Sequence, residues 1–131
     1  IGMVSDDGRP GAEFYAVRKL PRPIHPWVAE HVVPVLGKAA ETDKAIQKRL
    51  LTYLDAHAGQ VIVADWFEDL TNFLQLLSAG PGWAYRFNLD LKLLHTGGEI
   101  ASVTPHNALS DAHALMAWYQ QALTDGFLKP S

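Results

Sequence analysis

The sequence predicts a single mixed α/β domain, and three observations carry that reading. Apolar runs with strand character alternate along the chain with stretches whose apolar residues recur at helical spacing. The 131 residues suit one domain with a sizeable core. The composition, 48% hydrophobic and 19% charged, is that of a globular chain. There is no internal repeat, low-complexity tract or composition shift to mark a second domain.

IGMVS (1–5), DDG, and AEFYAVRK (12–19) predict a β-hairpin. Its turn is longer than two residues and holds Gly8, Pro10 and Gly11. LPRPIHP (20–26) has three prolines in seven residues, which predicts an extended connector. Pro26 suits the first turn of a short helix, PWVAEHVVPVLG, with Val28, Val32 and Val33 inward. Pro34 ends or kinks it.

The clearest helix is 41–59, with Thr42 as N-cap and a stripe of Ile46, Leu50, Tyr53 and Leu54. Gly59 is its stop signal. QVIVAD (60–65) predicts a short buried strand. A second helix follows over 68–80, with Leu70, Phe73, Leu74 and Leu77 inward. Residues 82–98 read equally as strand or helix. Residues 104–126 predict a final helix with Leu109, Ala112, Met116, Tyr119 and Leu123 buried.

Composition excludes several functions. A net charge of −3 gives no electrostatic footprint for duplex DNA, although bound divalent cations would change the local charge of an acidic site. With no cysteine there is no disulfide framework, thiolate metal site or Cys nucleophile. No apolar run approaches the roughly 18–20 residues of a membrane span, and no signal peptide is present, so a cytoplasmic protein without a membrane partner is expected. Zinc-type His spacings, Walker A, GxGxxG and GxSxG motifs are all missing. The chain opens inside a strand pattern, so we expect the natural protein to extend upstream.

Four positions could carry chemistry. Asp65 ends the 60–65 strand and Asp69 opens the next helix, where sites form in open α/β sheets. His106 and Asp111 flank the start of the last helix, in TPHNALSDAHAL. Each has a plain structural reading: a strand end, a first-turn carboxylate facing the helix dipole, a loop histidine. Together they offer carboxylate oxygens suited to magnesium or manganese, and an imidazole able to act as base. Those are the parts of phosphodiester hydrolysis. Trp66 lies between Asp65 and Asp69 and reads equally as a base-stacking residue or a rim residue over the core.

The segment His106-Asn107-Ala108-Leu109-Ser110-Asp111-Ala112 resembles the third motif, HxAxxDA, of the DEDDh 3′-5′ exonucleases. VIVADWFEDLTNFLQLL resembles their second motif, a strand and turn leading to an Asp that opens an apolar helix. Asp69 is matched to that Asp because Phe73 and Leu74 follow it, and Asp65 is the alternative. HPWVAEHVVPVL resembles the connector of a group of small bacterial 3′-5′ exoribonucleases similar to RNase T.

The resemblance covers most of the chain and implies an RNase H-like fold, a mixed sheet flanked by helices. It also implies a 3′-5′ exonuclease with two Mg²⁺ or Mn²⁺ ions, acting on 3′ ends of single-stranded RNA or DNA. Asp111 and Asp69 would hold metal and His106 would be the general base. Trp66, Asp65, Arg86 and Lys92 are weaker candidates for substrate contact. Related exonucleases are often dimers.

One departure matters. The family's first motif, Asp-x-Glu on the first strand, is absent, and we expect it just upstream of Ile1. The alternative is a non-catalytic RNase H-like binding domain. An RNase H-like endonuclease accounts less well for His106 within HxAxxDA.

Overall fold

The computed structural model describes residues 1–80, 82–84 and 88–130. The molecule is mixed α/β. Strands β1 (Gly2–Val4) and β2 (Glu13–Tyr15) form the expected antiparallel hairpin, with Met3 opposite Phe14. The ladder stops at Ala16, where the predicted long second strand breaks. Its continuation, β3 (Val17–Arg18), pairs in parallel with β4 (Ala40–Glu41), so Glu41 is strand and not the first residue of the next helix. Helix α1 (Pro26–His31) begins at Pro26 as predicted, and a 3-10 turn follows at Val33–Val35.

Helix α2 (Asp43–Ala56) starts on its expected cap: Thr42 Oγ1 accepts from the Ala45 amide at 3.2 Å. Strand β5 (Val61–Ala64) leads through Asp65 and Trp66 into α3 (Phe67–Leu76). The ambiguous segment supplies strands rather than helix. A short antiparallel pair, β6 (Ser78–Gly80) with β7 (Trp83–Ala84), precedes β8 (Asp90–Leu93), which pairs in parallel with β5. Helix α4 (Ala108–Thr124) closes the fold. Among the described residues the strands pair as four separate two-stranded ladders. β1 and β5 therefore each have one strand partner there.

The core lies between the hairpin and α2–α3: Phe14, Ala16, Ile46, Leu50, Leu54, Phe73, Leu76 and Leu77. Ile46, Leu50 and Leu77 are the largest fully buried side chains, each worth about 1.5–3 kcal/mol of burial. Several expectations need correction, among them the 60–65 strand, of which only Ala64 is buried, and the 68–80 helix, whose last residues form β6. Leu74 faces solvent and Leu76 takes its place, because α3 ends at Leu76 and turns Leu77 inward. Val33 is exposed and α1 buries nothing, so it lies on the surface as a short cover. The last helix starts at Ala108 instead of Thr104, because Pro105 and His106 form a turn closed by Asn107 N–H to Thr104 O at 3.2 Å. Within α4 only Ala122 is fully buried, and the predicted stripe is half-buried.

His57 holds the hairpin loop to the end of α2. The buried ring contacts Asp7 Oδ2 through Nδ1 at 2.8 Å and Gly11 O through Nε2 at 3.0 Å. Tyr53 Oη donates to Ala12 O at 2.9 Å beside it. This anchoring keeps β1 in place, and β1 in turn packs across α4. At Gly2 the contact is backbone to backbone: a Cβ there would fall inside the peptide joining Ala108 and Leu109.

Candidate functional site

One broad open cleft of about 2600 Å³ runs along β1, β5 and the starts of α3 and α4, and residues of most other elements also border it. Asp65, Trp66, Asp69, His106 and Asp111 all line it, as do β1 and β5. Residues 46 positions apart in sequence, Asp65 and Asp111, thus face a common space. Lys92 does not line the cleft: its ammonium lies over the Tyr119 ring of α4 at 5.9 Å. Arg86 lies outside the described residues.

Asp69 is the third residue of α3, and its amide is tied to Trp66 O at 3.2 Å. Burial raises the pKa of its carboxyl, and the charges of Asp65, Asp111 and Glu68 raise it further, against the Ile1 amine. Water nevertheless reaches the side chain through the open cleft, although protein surrounds much of it. Asp111 is thus among the charges that act on Asp69. Such crowding of negative charge is what a cation relieves.

Asp111 sits in the first turn of α4, where the helix dipole favours a carboxylate. Ser102 Oγ donates to its Oδ1 at 2.5 Å. The helix start is built around Asn107. Its Oδ1 accepts from the Leu109 and Ser110 amides, both at 3.1 Å. Its Nδ2 donates to Val35 O at 2.8 Å and to Tyr15 Oη at 3.2 Å. Tyr15 Oη in turn donates to Leu36 O at 2.7 Å. Ser110 Oγ accepts from the Thr104 amide at 2.9 Å. The motif thus hangs on a side chain, Asn107, that the HxAxxDA pattern leaves unspecified.

His106 precedes that cap with φ of 68°, the left-handed region that few non-glycine residues occupy. Its ring is exposed and stands edge-on to Trp27, centroids 5.2 Å apart at 78°. Among the described residues no hydrogen bond reaches that ring. Trp27 is 47% exposed and lines the cleft. The available signal was HPWVAEH, in which Trp27 and His31 lie four apart on one helix face. Trp66 is 63% exposed, with Nε1 3.4 Å from Glu68 Oε2, so it does not cap the core. His113 instead pairs with Glu13 at 2.7 Å on the surface.

The donor chemistry fits a hard divalent cation. Magnesium is commonly held by one or two carboxylates, with water and substrate phosphate completing its shell. Asp69 and Asp111 meet that requirement in kind. They do not form a closed cage: among the described residues no three His, Cys, Asp or Glu side chains are gathered closely enough to hold a metal.

No family model, no curated protein and no solved structure matches this chain. Among the described residues no helix is long and apolar enough to cross a membrane.

Proposed function

We propose that this chain carries an RNase H-like, metal-dependent 3′-5′ exonuclease domain acting on RNA or short oligonucleotides. The observation that carries the reading is that Asp69 and Asp111, from separate elements, face one cleft whose wall also bears His106. Both acids are also the ones that the HxAxxDA and strand–Asp–helix patterns mark.

Asp69 and Asp111 would hold the cation, with Asp65 beside them. When bound, the cation supplies positive charge for the phosphate oxygens and makes water more acidic. The chain's own residues would do the rest. His106, in its neutral form, would take a proton from the attacking water. Ser102 holds Asp111 in one orientation through its 2.5 Å hydrogen bond. Trp66, exposed at the cleft, offers a face for a base to stack on.

The unused edges of β1 and β5 support a further part of the reading. Both strands line the cleft, and each has a single partner among the described residues. A strand seated between them would join the two ladders. Its end beside Asp69 could bring the Asp-x-Glu pair that the two-carboxylate set lacks.

The test is shortening of a 5′-labelled oligoribonucleotide by the protein as its gene encodes it. Mn²⁺ should support removal of nucleotides from the 3′ end and EDTA should stop it. Asp111→Asn should abolish cleavage yet leave the melting temperature nearly unchanged, since Asp111 is an exposed side chain. Full activity in EDTA would overturn the reading. An upstream gene sequence without a carboxylate pair on an apolar strand would favour the non-catalytic binding domain.

A further inference from the structure

We propose that Trp27 is a positioning residue that sets the direction of the His106 imidazole. The inference rests on the nuclease reading for its kinetic consequence, though not for the contact itself.

The observations are geometric. His106 stands on a strained left-handed backbone, and nothing among the described residues hydrogen-bonds its ring. An imidazole on such a backbone can rotate about its side-chain bonds unless something blocks it. The contact that restricts it is the Trp27 indole, perpendicular to it at 5.2 Å. Perpendicular rings at this spacing attract through the positive edge of one and the negative face of the other.

The indole is itself fixed. The Trp27 amide donates to His25 Nδ1 at 3.2 Å, which caps the start of α1. The His31 ring stacks against the indole, centroids 4.8 Å apart and 15° from parallel. His31 Nδ1 lies 2.9 Å from Trp27 O, which ties the stacked ring to the same turn. Pro26 limits the backbone just before it. Three rings, His31, Trp27 and His106, therefore form a row reaching the cleft from a helix that buries nothing of its own. A short helix with no share in the core, holding an indole against a strained histidine, is explained if its job is to orient that histidine.

The experiment uses Trp27→Leu, which keeps apolar bulk without a ring, and Trp27→Phe, which keeps a ring. Single-turnover 3′-end cleavage in Mn²⁺ should fall roughly ten- to a hundredfold in Trp27→Leu, the usual effect of misplacing a catalytic group by about 1 Å. KM should change less than about threefold, and Trp27→Phe should recover most of the rate. In a His106→Ala background, Trp27→Leu should cost nothing further, because the two act as one unit. A purely structural role would predict equal losses in both backgrounds.

NMR of the His106 ring protons judges the contact independently of activity. Removing the indole should shift them through loss of its ring current. If the wild type cleaves nothing, the function fails, and a shifted His106 resonance still supports the contact. Unmoved resonances, or wild-type cleavage by Trp27→Leu, would overturn the proposal.

Discussion

Replacing Asn107 by alanine tests how the site is held together. Two backbone donors, the Leu109 and Ser110 amides, lose their acceptor, and a lost N-cap costs about 0.5–2 kcal/mol. The Val35 carbonyl also loses a 2.8 Å donor, and Tyr15 Oη loses a partner, at about 1 kcal/mol for such a bond. The whole change should cost about 2–3 kcal/mol, or a melting temperature lower by roughly 6–15 °C in a chain of this size. Asn107→Asp separates the two contributions. A carboxylate caps the helix and suits its dipole, but it cannot donate to Val35 O. It should lose about half as much. Thermal melts followed by far-UV circular dichroism, with urea titrations as a check, give both values. An alanine variant melting within about one degree of wild type would refute the reasoning, as would an aspartate variant as damaged as the alanine one.

Two further perturbations probe the same region. Gly2→Ala should destabilise by about 1–3 kcal/mol in urea unfolding, because its methyl must push β1 away from the Ala108–Leu109 peptide; an unchanged midpoint would mean that β1 and α4 do not touch there. Asp69→Asn should raise the melting temperature at neutral pH without divalent cations. The Asp69 pKa is raised in the folded state, so the charged form costs stability above that pKa, and the cost disappears as pH falls towards the ordinary carboxylate range. Water access to the side chain limits the gain to no more than about 1 kcal/mol. A variant less stable than wild type at neutral pH, or a gain that grows in acid, would contradict the assigned crowding of carboxylates.

Much of the fold was legible because local rules and tertiary packing agree there. Thr42 caps α2, and Ile46, Leu50 and Leu54 bury as their spacing requires. The hairpin of β1 and β2 follows from alternation and its glycine-rich turn. Other features depend on distant partners. Residues 40–41 become strand only because Val17 and Arg18 lie alongside them. Leu74 and Leu76 both satisfy an apolar helix pattern, and the turn at Leu77 decides between them. Motif spacing singled out Asp69, His106 and Asp111, and all three line the cleft, since they follow directly from strand and helix ends. The supports were not legible. Asn107 reaches Val35 and Tyr15, 72 and 92 residues away, and Trp27 reaches His106 across most of the chain. Lys92 meets Tyr119, 27 residues further along the chain, which is likewise a distant partner.

His106 and Asp111 belong either to a reactive site or to an ordinary helix start. Single-turnover cleavage of a labelled oligoribonucleotide at saturating Mn²⁺ decides this, with wild type compared against His106→Asn from about pH 6 to about pH 9. Asparagine is chosen because it tolerates the left-handed backbone at this position but cannot accept a proton as a base does. Wild type should cleave from the 3′ end throughout that range. The rate should be lower by roughly two to four orders of magnitude in the variant, with Mn²⁺ affinity little changed. A variant that cleaves as fast as wild type throughout that range would contradict the nuclease reading.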